Sequence, residues 1–235
     1  MKRAAAGLIA VAALVTVVFV WGRSRPALAF DPKNPLGTPI VIRSNGEFLT
    51  AQQLADKDFK EAFPKIDRGE SLTQADRTNL LTGARWCAAM ADYLPGRADA
   101  EKEDFRCGQA LAALGYHEAA IRRFDMYISY AGEHPVDQNT AVIRADSYNL
   151  RGASLMELGD LKGALDSVNQ AVKAFPDAPF FRYVRAAVEL RLNDSKAAIQ
   201  DLDVAVTKGQ EQQDPVTLRA YALLEGVKAK MKSEK

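Results

Sequence analysis

Apolar side chains in the second half of the chain return at steps of three and four, the spacing that lays them along one side of a helix. Phe180, Tyr183, Ala187 and Leu190 follow it. Turn residues stand between such runs: Gly115, Gly159, Asn193-Asp194 and Asp214-Pro215. The pattern predicts alternating helices and tight turns. A longer period lies over it. Arg151-Gly152, Arg185-Ala186 and Arg219-Ala220 are 34 residues apart, Ala164 recurs as Ala198, and Ala171 as Ala205. Small residues at fixed places in a period of 34 predict stacked helix–turn–helix units.

The clearest unit carries Tyr148, Arg151-Gly152, Leu155, Gly159, Ala164, Val168, Ala171 and Pro176. It resembles the tetratricopeptide (TPR) repeat. Arg151 departs from that pattern where Leu is preferred, and Leu155 and Val168 replace aromatics. Gly152 and Ala164 stand where two helices approach closely. Gly159 suits a turn of positive φ, and Pro176 ends the second helix. A following unit keeps Ala186, Ala198, Leu202 and Ala205. An upstream unit carries Gly108, Leu111, Gly115, Ala120 and Phe124. The upstream unit is offset by 44 residues, and the ten extra residues fall in Gly132–Arg144, read as a loop. The fold expected is all-α, a TPR-like helical-hairpin solenoid with an irregular N-terminal extension. Repeats occupy residues 101–213, and a helix over 214–235 caps them, opened by Asp214-Pro215.

Residues 30–49 read as an extended linker or a short hairpin. Phe30–Pro39 is Pro-rich, and Asn45-Gly46 would suit a hairpin turn; an extended strip lying on the helices is the alternative. N-terminal helices follow over 50–100, opened by Thr50-x-x-Gln53 and Thr73-x-x-Asp76. They form at most a degenerate repeat, because the small-residue signature is missing. Cys87 and Cys107 lie on neighbouring helices separated by Pro95-Gly96. A disulfide between them is expected, and would contribute about 3 kcal/mol by closing a loop of about 20 residues. Two separate buried thiols are the alternative.

Met1-Lys2-Arg3 precedes Ala4–Gly22, a run without charge or proline. Residues 1–29 read either as a signal peptide cleaved after Ala27-Leu28-Ala29 or as a membrane anchor near the roughly 20 residues needed to span. Both place the body outside the cytoplasm, periplasmic in a bacterium, soluble or tethered by one N-terminal helix. Without Lys2, Arg3, Arg23 and Arg25 the body has 27 basic and 30 acidic side chains, net −3. That gives no electrostatic footprint for nucleic acid.

No catalytic motif stands out, and neither His117 nor His134 has a partner at motif spacing. The pairs Glu101/Glu103 and Asp201/Asp203 read as solvated. No cofactor or metal is expected, and the chain does not read as an enzyme. The resemblance implies that the first helix of each hairpin lines the concave side. The candidate partner-binding residues there are Phe105, Gln109, Asn149, Met156, Phe180, Tyr183, Leu190 and Tyr221, with Ala153, Ala187 and Leu224 between them. Family members that clasp a peptide carboxylate use Lys and Asn on this face; Tyr183 and Ala187 stand there instead. An apolar groove suits an amphipathic or hydrophobic segment, although Phe180 and Tyr183 could equally pack on the chain's own elements. The function expected is a non-enzymatic scaffold holding another protein, a component of an envelope or membrane complex. The alternative is a permanent structural subunit held by an uncleaved anchor.

Overall fold

A computed structural model describes residues 34–37, 40–93, 98–132 and 136–233. The signal or anchor at 1–29, most of the Pro-rich linker, Pro95-Gly96 and Glu133–Pro135 lie outside the described residues. The chain divides into two compact units, Met1–Gly37 and Thr38–Lys235. In the first, Asn34 closes a turn by accepting from the Gly37 N–H at 3.1 Å.

The second unit is all-α among its described residues. It begins with α1 (Asn45–Phe59), the short α2 (Ala62–Arg68) and α3 (Gln74–Tyr93). The hairpin considered around Asn45-Gly46 is absent, and α1 starts five residues before Thr50. Ser44 is the N-cap: its hydroxyl accepts from the Glu47 N–H at 3.2 Å, while the Glu47 carboxylate accepts from the Arg43 N–H. Asn-Gly turns a chain only when two strands flank it. Here Phe48, Ala51, Ala55 and Phe59 are buried at helical spacing, and the cap decides. The expected start of α3 holds. Asp76 N–H donates to Thr73 Oγ1, and Thr73 N–H donates to Asp76 Oδ2. Hydrogen bonds from Lys65 and Thr73 hold the Asp76 carboxyl down to about 2.

The array follows as three hairpins and a cap. These are α4 (Ala98–Ala113) with α5 (His117–Ala131), α6 (Gln138–Glu157) with α7 (Leu161–Ala174), α8 (Pro179–Arg191) with α9 (Ser195–Gln212), and α10 (Val216–Ser233). Each helix of the array packs chiefly on its sequence neighbours, as a solenoid requires. A Cβ on Gly108 would lie 2.5 Å from the Phe124 ring, and one on Gly152 would lie 2.4 Å from Val168. Ala186 and Leu202 share the next core cluster. These are one packing device at one register. The turns repeat it: Gly115, Gly159 and Asn193 have φ of 86°, 85° and 63°. The α1–α3 hairpin uses the device reversed, with the small residue on its second helix, where a Cβ on Gly83 would enter the Phe59 ring. That reversal hides it from a search at the period of 34.

The insertion is not the loop expected. Asp137 caps α6 by accepting from the Thr140 N–H at 2.7 Å, so most of Gly132–Arg144 is helix. At 20 residues, α6 is longer than α7 with 14 or α8 with 13. Its first turns therefore outrun its partners. His117, expected in a turn, opens α5. The start and end of the unit also touch: Arg219 on α10 donates to the Asp67 carbonyl on α2 at 2.7 Å.

Candidate partner-binding surface

The first helices α4, α6, α8 and α10 carry the candidate residues on their three-and-four spacing. Their exposure differs sharply along the array. Phe180 on α8 and Tyr221 on α10 are open, at 36% and 52% of their full exposure. Tyr183 and Leu190 are half-buried against the cluster of Ala186, Leu202 and Ala220. Tyr183 also joins Met156 and Ala153 against Val168 and Val184. Phe105 is half-buried, its ring 6.2 Å from those of Phe124 and Tyr127. Gln109 is half-buried. Asn149 is fully buried, and neither amide atom has a hydrogen-bond partner among the described residues. The structure thus brings Met156 and Tyr183 together, keeps Phe180 and Tyr221 in solvent, and makes Asn149 an interior group.

Sequence reasoning missed the buried charges. Asp146 stands three residues before Asn149 on the same stripe, and burial alone pushes its carboxyl up to about 6. Glu101 and Glu103 were expected to be solvated, but both are buried. Asp104 is buried at 2.7 Å from Arg123, which also reaches Asp92 on α3. Arg106 pairs with Glu103 at 3.1 Å and with Asp56 on α1 at 2.6 Å, and lies over the Phe59 ring. Asp201 is buried between Arg182 and Arg185, at 2.7 Å from each. Beside them, burial and then Asp201 push Glu189 up to about 7. Asp203 is the exposed member of its pair and meets Lys228 at 3.2 Å. The available signal was arginine at compatible positions on the facing helix. Spacing within α4 shows the Glu103–Arg106 pair, but it cannot show the pairs that Asp104 and Asp201 make with the facing helix.

The expected Cys87–Cys107 bridge is not present: both residues are free, buried thiols. The Cys87 thiol donates a hydrogen bond to the Glu103 carboxylate, and burial pushes the Cys107 thiol up to about 12. Ion pairs from Arg106 and Arg123, rather than a covalent staple, tie α1 and α3 to the array.

Asp146 makes stability depend on pH in a defined direction. Its carboxyl is raised in the folded state above the roughly 3.9 of an unfolded chain. Between those values the folded state holds a proton that the unfolded state has lost, so this group favours folding less as pH rises through that window. Asp146→Asn should raise stability by up to about 3 kcal/mol at pH 7.5 and change it little at pH 4. Urea unfolding at both values checks this, and an equal gain at both would refute it.

Comparison with known proteins adds likeness without a family. No protein-family model and no curated protein matches the chain. Among solved structures, it is similar to MamA (residue 41 to the end) from Desulfovibrio magneticus RS-1. The match has a TM-score of 0.45 and 14% identity, over 75% of this chain and 96% of that one. A MamA RS-1 double mutant matches with a TM-score of 0.45 and 15% identity, over 77% and 97% of the two chains. The TPR-like description of this chain rests on its own helical hairpins and their register.

Proposed function

We propose that this chain is a non-enzymatic protein-interaction scaffold outside the cytoplasm, holding a component of an envelope or membrane complex on the stripe of its first helices. The supporting observation is the exposure of two aromatics, Phe180 on α8 and Tyr221 on α10, on helices where Tyr183 and Leu190 are half-buried. Aromatic side chains bury large area at low entropic cost, and they dominate binding energy where they cluster. The stripe suits the apolar face of an amphipathic helix or a hydrophobic segment. The location rests on Met1–Gly22 and Ala27-Leu28-Ala29. Among the described residues no helix is long and apolar enough to cross a membrane. An uncleaved Ala4–Gly22 would make the chain a resident subunit, and the 19-residue length of that run supports this second reading.

A photo-crosslinking residue at Phe180, introduced in the native cell, tests the scaffold. Capture of one envelope protein is the expected result. Capture of nothing but the chain's own residues would mean that the stripe is self-filled, and would overturn the reading. Sequencing the N-terminus of the mature protein separates the two readings: Phe30 first means a released scaffold, and Met1 first means an anchored subunit.

A further inference from the structure

The ten-residue insertion that breaks the period of 34 builds a cavity. α6 outruns α7 at its start: Thr140 there is buried beside Tyr127 of α5, while Gln138 and Ala141 face the last residues of α7. The result is a cavity of about 330 Å³, at the lower end of the roughly 300–1,000 Å³ typical of ligand sites. It follows the stripe Gln138, Ala141, Tyr148 on α6, a different side of that helix from Asp146 and Asn149. Gln170 and Phe175 close the opposite wall.

Among the described lining residues one is charged. Arg144 lines the cavity with its guanidinium stacked over the Tyr148 ring, 5.1 Å from the centroid. Its Nη2 donates to the Tyr148 hydroxyl at 3.3 Å. Its Nε is buried without an acceptor, and no carboxylate among the described residues pairs with it. Buried donors are nearly always satisfied. Four arginines of the array, Arg123, Arg151, Arg182 and Arg185, each hold an aspartate, while Arg191 and Arg219 donate to the Met156 and Asp67 carbonyls. Arg144 sits in a chain whose body is net negative, and among the described residues no acid lines its cavity. The Tyr148 hydroxyl accepts from Arg144 and keeps its own proton to donate. Two donors on one stack, in a lining that also holds Gln138, Gln170, Phe175 and three alanines, fit a planar monoanion attached to an apolar body.

We propose that this cavity binds the carboxylate of a small apolar acid, with Arg144 and Tyr148 holding the carboxylate and Phe175 and Ala141 packing the apolar part. A phosphate fits less well, since one guanidinium would meet its two charges alone and Asp137 already occupies the N-terminus of α6. The same chemistry is presented by a free acid and by the last residue of a peptide.

Binding to the whole chain is measured with 3-phenylpropionate, with 3-phenylpropionamide, and with the tripeptide Ala-Ala-Phe bearing a free or an amidated C-terminus. NMR shifts of the Gln138 and Gln170 side-chain amides give the readout. Each acid should bind at least about tenfold more tightly than its amide, a difference of about 1.4 kcal/mol. Arg144→Gln should remove that preference while leaving the thermal melt unchanged. Ala141→Phe should remove binding by filling the cavity with Arg144 intact, and it decides the matter if Arg144→Gln fails to fold. Tighter binding of the free tripeptide identifies a chain end as the source, and tighter binding of phenylpropionate identifies a free acid; either supports the site. Equal binding of acid and amide, no shifts with any probe at millimolar concentration, or an unchanged preference in Arg144→Gln would overturn it.

Discussion

Replacing Gly152 by leucine should destabilise the protein by at least about 3 kcal/mol, enough to lose much of the 5–15 kcal/mol that typically holds a domain folded. Even a Cβ at this position would lie 2.4 Å from Val168 Cγ1 and 3.1 Å from the Ala164 carbonyl oxygen. The valine could rotate, but the carbonyl belongs to α7 itself and moves only if the helix moves. Widening the α6–α7 hairpin would then part the cluster of Ala164, Val168, Val184 and Val188 that joins it to α8. The damage would pass to the next unit, since each unit of a solenoid is held by its neighbours. Gly226 on α10 is the control. It is also a helical glycine, but nothing lies within 4 Å of a Cβ there, so Gly226→Ala should gain up to about 1 kcal/mol from helix propensity. Urea unfolding of the two variants reads the contrast. A Gly152→Leu protein as stable as the parent would mean that the register assigned to the array is wrong.

Asp201→Ala should cost about 3 kcal/mol, because it leaves two guanidiniums without the charge they share. Arg182 and Arg185 are each about four-fifths withdrawn from solvent, and the Asp201 carboxylate is almost wholly so. Glu189 cannot replace it, standing 3.7 Å from Arg185 with burial favouring its neutral form. The contribution belongs to the geometry and not to charge in general. Lys228 and Asp203 also pair across α9 and α10, but both are about half exposed. Lys228→Ala should therefore change stability by less than about 1 kcal/mol. Added salt should weaken the second pair more than the first, since water and ions reach only the exposed one. If Asp201→Ala proved as mild as Lys228→Ala, the network would be incidental to the fold.

The repeats were legible because their signals are short-range. Gly152 faces Val168 across a single turn, and Gly159 supplies the positive φ of that turn, all within one hairpin. The N-terminal hairpin was harder to read because Gly83 and Phe59 exchange the roles of small and large residue. The start of α1 was legible in Ser44-x-x-Glu47 but was obscured by Asn45-Gly46, which suits both a hairpin and the first turn of a helix. Of the candidate residues, Phe180 and Tyr221 were found in solvent. Asn149 was not, since identity and spacing say which face a residue is on and not whether another helix covers that face.

The sequence by itself determined the all-α hairpin array, its register and most of its turns and caps, because these depend on steric fit and backbone hydrogen bonds within about 34 residues. Only the tertiary structure decided that the insertion lengthens α6 and opens a cavity around Arg144. It alone placed Asp104, Glu103 and Asp201 inside beside arginines, left Cys87 and Cys107 as thiols, and brought Arg219 to Asp67 across 152 residues. Whether a charge is buried, a helix overhangs or two thiols are bridged depends on which distant surface lies against it, and that follows from how the hairpins stack rather than from any local pattern.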